Sequence, residues 1–150
     1  MMAVLGAKDS YCYVCGPDNK FGLRVPFEQD GAEGSCARYV ARPEHGGWNG
    51  VLHGGVTFSL MDEALGWALF FQQKPAVTAK IRTRFTKPVP IGAALLIRAW
   101  VIRERSRIVE AKAEVRSDDG EMLFAEAEAT MFRIPAAPAI QNHSEEEAIA

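Results

Sequence analysis

The chain has 150 residues, 48% of them hydrophobic and 24% charged, with a formal net charge of −2. That length and balance fit one domain with a sizeable core, and the near-neutral charge removes any global electrostatic case for nucleic acid or a membrane surface. No secretory run opens the chain and no stretch of about 20 apolar residues would span a bilayer, so a cytoplasmic protein is expected.

Charge is distributed unevenly along the chain. Residues 76–116 carry ten Lys and Arg against three Glu, whereas 117–150 carry eight acids against one Arg. A basic region of sheet could meet a phosphate-bearing ligand, and a solvated strand face explains the same pattern. Cys12, Cys15 and Cys36 are an odd count without secretory context, which argues for reduced thiols rather than a disulfide framework. Cys12-Tyr13-Val14-Cys15 has the spacing of a metal knuckle, but structural zinc takes four ligands and usually a second paired half. Only scattered Cys36, His45, His53 and His143 remain, so no metal is expected and the leader is read as a structured loop.

In chain order, residues 1–20 read as a loop with a turn at Gly16-Pro17-Asp18-Asn19. Leu23 to Phe27 suggests a short first strand, and Ser35 to Ala41 a second. Pro43 to Gly50 reads as a flexible entry loop carrying Trp48. Val56 to Phe71 is apolar on nearly every side and lacks proline, which predicts an enclosed helix running to about Gln72 or Gln73. Asp62 and Glu63 stand out in it, because a buried unpaired carboxylate is expensive and something must compensate.

Beyond Pro75 the period changes to two. Val77, Ala79, Ile81, Thr83 and Phe85 alternate with Thr78, Lys80, Arg82 and Arg84, a half-buried strand. Ala93–Arg103 and Ile108–Arg116 follow as strands, then a hairpin turn at Ser117-Asp118-Asp119-Gly120 and a last strand over Glu121–Arg133. Val109, Ala111, Ala113, Val115, Leu123, Ala125, Ala127, Ala129 and Met131 should face inward, the alanines letting a sheet curl closely around a helix. Four consecutive strands joined by turns imply an antiparallel sheet, and with one apolar helix they give a two-layer α+β domain. Residues 135–150, with two prolines and Glu145-Glu146-Glu147, read as a disordered acidic tail.

Gly50-x-x-His53-Gly54-Gly55, then Asp62 in the helix, then Thr78-x-x-Ile81-x-x-x-Phe85-x-x-Pro88, resembles the hotdog-fold acyl-CoA thioesterases of the phenylacetate-pathway type. The Cys12-x-x-Cys15-Gly16 leader is similar to one found in that superfamily, and the resemblance covers roughly residues 12–133. It implies a hotdog fold over residues 1–134, with one long central helix wrapped by a curved antiparallel sheet of five to six strands. It also implies hydrolysis of acyl-CoA to a free acid and CoA, with no cofactor because coenzyme A is part of the substrate. Gly54 would supply the oxyanion N–H, Asp62 the general base or nucleophile, Thr78 a hydroxyl that helps hold the water, and His53 the shaping of the loop. Gly55, Asn49, Glu63, Arg82 and Arg84 are the expected substrate contacts.

Two features depart from the family pattern: Gly47 stands where many relatives have Asn, with Asn49 out of register, and Glu63 sits beside Asp62. Two readings compete with hydrolysis, an acyl-CoA hydratase or dehydratase on the same fold and a non-catalytic acyl-CoA-binding module. Helix rise adds one step: Gly54 and Asp62 lie about 12 Å apart along the axis at 1.5 Å per residue. One chain can hardly serve a single carbonyl with both, so a homodimeric catalytic unit is expected, with a dimer of dimers possible.

Overall fold

The structure is a computed structural model that describes residues 8–135, so most of the expected acidic tail lies outside the described residues. Its elements are β1 (Glu28–Asp30), β2 (Gly34–Val40), a short 3-10 turn (Pro43–His45), α1 (Gly54–Phe70), β3 (Ala76–Phe85), β4 (Ala94–Arg105), β5 (Ile108–Ser117) and β6 (Leu123–Arg133). The strands form one six-stranded sheet in the order β1-β2-β4-β5-β6-β3, every neighbouring pair antiparallel. The helix packs on one face of it, against β2, β3, β4 and β5. Among the described residues no helix is long and apolar enough to cross a membrane.

Why the layers fit is legible in side-chain size. Leu60, Met61, Ala64, Leu65, Ala68 and Leu69 of α1 are fully buried, in one core cluster with the inward row of Ala99, Ala111, Ala113, Ala125 and Ala127. Thin residues on the sheet let it approach the helix backbone, so close packing replaces the bulk that larger side chains would supply. Ser35 Oγ of β2 donates a 2.6 Å hydrogen bond to the Ala64 carbonyl, which accounts for a polar side chain with no exposure at all.

Four expectations need correction. Leu23–Phe27 is not a sheet strand; its backbone pairs instead with the leader, Leu23 N–H to Tyr13 O at 2.8 Å and Val25 N–H to Val14 O at 2.9 Å, and β1 begins one residue later. The Pro43–Gly50 segment is anchored rather than loose, for it opens with the 3-10 turn and buries His45.

The third correction concerns pairing: β3 lies beside β6, not β4. The proline-containing link between β3 and β4 crosses under the start of the helix, where Leu52 N–H bonds Val89 O at 2.9 Å and Val51 bridges Pro90. The fourth concerns facing. A bulge between Thr78 and Lys80 reverses the alternation in β3, so Thr78 turns inward with Ile81 and Thr83 while Val77 points out at 42% exposure.

Candidate functional site

The loop ahead of α1 is built by backbone closure. Gly46 bridges Leu52, Gly47 N–H bonds Val51 O at 2.8 Å, and Val51 N–H bonds Trp48 O at 2.9 Å around Gly50, whose φ of 77° only glycine adopts without strain. A Cβ on Gly47 would stand 3.0 Å from the His53 Cα, a tight approach that a side chain here would have to relieve. Beneath the loop lies a trio formed by buried Tyr39 and His45 with half-buried Arg42. Tyr39 Oη and His45 Nδ1 are 2.6 Å apart, and Arg42 Nη2 approaches His45 Nε2 at 3.4 Å. Arginine can only donate, so the neutral His45 carries its proton on Nδ1 and gives it to Tyr39. Burial, and then the Arg42 charge, hold the His45 pKa below its ordinary value. The His45 carbonyl in turn accepts from His53 N–H at 3.0 Å, so this trio sets where His53 sits.

His53 is the helix N-cap. Its Nδ1 accepts the Gly55 N–H at 2.8 Å, and its carbonyl accepts from Val56 and Thr57. Two consequences follow. With Nδ1 engaged as an acceptor, the neutral imidazole keeps its proton on Nε2 and offers no free lone pair. The Gly55 N–H is likewise taken, whereas Gly54 N–H has no acceptor among the described residues and points out of a helix N-terminus, where the dipole favours negative charge. Gly54, Gly47, Trp48, Thr57 and Phe85 line a groove of ≈ 860 Å³, with Trp48 88% and Phe85 56% exposed.

Two turns along α1, Thr78 Oγ1 donates a 2.9 Å hydrogen bond to Asp62 Oδ1. The bulge in β3 is what aims Thr78 at the helix, and the second carboxylate oxygen of Asp62 has no hydrogen-bond partner among the described residues. The structure thus brings Asp62 to Thr78 and His53 to Gly54 and Gly55, in two places separated along one helix. Glu63 belongs to neither: it faces the leader, pairing with Lys8 Nζ at 3.0 Å and accepting from Cys12 Sγ at 3.5 Å. Burial pushes its pKa up, but Lys8 and the hydrogen bonds of Cys15, Lys8 and Cys12 outweigh that and leave it lowered. Asn49 is exposed on the loop and is not part of the groove lining.

Strand order interleaves the basic run with acids. Arg82 and Arg84 lie on the outer sheet face, away from Asp62, and acidic β6 runs between basic β3 and β5. Arg82 is therefore level with Glu128, itself level with Lys112, and Arg84 with Glu126. A run that looks basic in sequence is folded into alternating charge. The residues that sequence reasoning missed are Tyr39, Arg42 and His45; the one signal for them was a histidine between Pro43 and Gly46, which spacing alone does not distinguish from a loop residue.

Residues 49–124, half of the chain, match the family described as the thioesterase superfamily. Acyl-coenzyme A thioesterase THEM4 of Xenopus laevis is 27% identical over 85 residues, covering 57% of this chain and 38% of that protein; the chain thus spans well under half the length of that relative. Among solved structures, a thioesterase superfamily protein, RHA08564, superposes with a TM-score of 0.76 at 25% identity over 83% of this chain and 61% of that one. PaaI of E. coli, from the phenylacetic acid degradation operon, superposes with a TM-score of 0.71 at 20% identity over 77% and 83%. A single helix on a six-stranded antiparallel sheet, and a family match that spans the capped helix start, Asp62 and Thr78, agree: the chain belongs to the thioesterase superfamily in its hotdog-fold form.

Proposed function

We propose that the chain hydrolyses acyl-CoA thioesters, giving a free acid and CoA. The observation that carries this is the division of labour at the start of α1: His53 consumes the Gly55 N–H and leaves the Gly54 N–H free at the positive end of the helix. In the proposed reaction the thioester carbonyl oxygen sits on Gly54 N–H. Asp62, held by Thr78, removes a proton from a water that attacks the carbonyl carbon. Negative charge passes to the carbonyl oxygen, where the fixed N–H stabilises it. Collapse breaks the C–S bond, and the CoA thiolate leaves with the proton that Asp62 received. The engaged Nδ1 of His53 argues against the hydratase reading, which needs a free histidine base.

Because Gly54 and Asp62 are about 12 Å apart along one helix, the catalytic unit is a homodimer with each site taking Gly54 from one subunit and Asp62 from the other. Exposed Trp48 and Phe85 beside Gly54 supply apolar surface for a partner subunit to cover.

The test is thiol release from a panel of acyl-CoA substrates by the parent chain and by Gly54→Pro. Proline suits the first helical position, His53 already has φ −59° and ψ 130° as a residue before proline requires, and a Cβ at Gly54 meets Phe85 only at 3.7 Å. The substitution removes the N–H and keeps the helix, so kcat should fall by about 10²–10³ with the melting temperature held. Turnover unchanged in Gly54→Pro, or no thiol release from any acyl-CoA by the parent chain, contradicts the proposal.

A further inference from the structure

We infer that Cys12, Cys15 and Glu63 form a binding site for a thiophilic divalent cation of the zinc class, with a fourth position left to water. The two Sγ atoms and a carboxylate oxygen of Glu63 all lie within 4.8 Å of one another, and all three residues are partly buried. Tetrahedral zinc takes sulfur at about 2.3 Å and carboxylate oxygen at about 2.0–2.2 Å, which sets its ligand atoms roughly 3.5–3.8 Å apart. The cluster reaches that arrangement by side-chain movements on the order of 1 Å, well within the reach of rotamer adjustment.

The backbone around the cysteines is shaped for the purpose. Cys15 N–H points at Cys12 Sγ at 3.4 Å, and Gly16 N–H closes on Cys12 O at 2.9 Å. A Cβ at Gly16 would stand 2.4 Å from both Ser10 O and Cys12 N, so only glycine permits this turn after the second cysteine. The turn is held in place by the leader's pairing with Leu23 and Val25. The third ligand comes from a rigid element, 51 residues from Cys12.

Charge also balances. Two thiolates and a carboxylate around a divalent ion leave one negative charge, and Lys8 stands ready to offset it, 3.0 Å from Glu63 Oε1 and 4.5 Å from the centre of the Trp67 ring. Lys8 thus acts as an outer counter-charge rather than a competitor. Such a site fastens the leader to the turn of α1 that carries Asp62. The knuckle spacing was visible in the sequence; the missing ligand was an acid far along the chain, which no cysteine or histidine count finds.

The test uses the full chain, kept reduced and stripped with chelator, then titrated with Co²⁺ and afterwards with Zn²⁺. One Co²⁺ per chain should bind with a thiolate-to-cobalt charge-transfer band and be displaced by one Zn²⁺. Cys12→Ser with Cys15→Ser should abolish the band, Glu63→Gln should weaken Zn²⁺ binding by at least about tenfold, and Cys36→Ser should leave both unchanged. If the double variant does not fold, Cys15→Ser alone reads the same loss. Absence of the band in the reduced parent chain, Zn²⁺ affinity unchanged without Cys12 and Cys15, or a site that follows Cys36 overturns the inference.

Discussion

Asp62 is held by one hydroxyl, and that makes Thr78 a measurable contributor. A hydrogen bond to a charged group is worth about 1.5–3 kcal/mol, so Thr78→Val should lower kcat about tenfold or more while Thr78→Ser restores most of it. Asp62→Asn, which keeps the volume and removes the base, should lower kcat by about 10²-fold or more. Equal turnover in Thr78→Val and the parent would detach this hydroxyl from the chemistry. Beneath the loop, His45 makes a prediction in pH. Its native pKa lies below the ordinary 6.5, so the unfolded chain binds the proton more readily. The stability it contributes is therefore fully present above pH 6.5 and is lost as pH falls through the lower native value. Melting temperature should drop in that acid range for the parent chain and drop less for His45→Gln; identical pH profiles would remove His45 from the account.

At the scale of elements, helix and sheet are fitted by small side chains, and that fit is testable. Ala113 of β5 is completely buried against the helix layer, so Ala113→Leu should destabilise the chain by about 1–3 kcal/mol through overpacking. Lys112→Ala next to it, on the outer face, should change stability by no more than about 0.5 kcal/mol. Denaturant midpoints compare the two, and equal shifts would contradict the packing argument. Period and punctuation made these elements legible: the helix, β2 and β4–β6 fall within two or three residues of their expected bounds. What was hidden is non-local. No periodicity announces the bulge that turns Thr78 inward, because a single extra residue leaves the composition unchanged. Nor does hairpin spacing reveal that β3 pairs with β6, which follows from the β3–β4 link passing beneath the His53 loop. Leu23–Phe27 looked like a strand for the ordinary reason, alternating apolar residues, and those residues join the core, Phe27 stacking on Trp67 of α1, while the backbone pairs with the leader instead of the sheet.

The same distinction separates what the site disclosed from what it concealed. His53, Gly54, Asp62 and Thr78 were singled out by the resemblance to a family motif, whereas the engagement of Gly55 N–H by His53 Nδ1 required coordinates. For the whole molecule, strand order cancels the apparent basic patch, since Glu126 and Glu128 stand level with Arg84 and Arg82. Raising ionic strength should accordingly change KM for acyl-CoA only weakly, through other contacts than these. The largest-scale claim is that each active site is shared between two chains. The direct measurement mixes Gly54→Pro subunits with Asp62→Asn subunits, each inactive alone, under conditions where exchange is verified. A mixed dimer then holds one site with both defects and one with neither, so the account predicts that up to half of the parent activity per mixed dimer returns. No recovery despite proven exchange, or full activity in a chain shown to be monomeric, would contradict it.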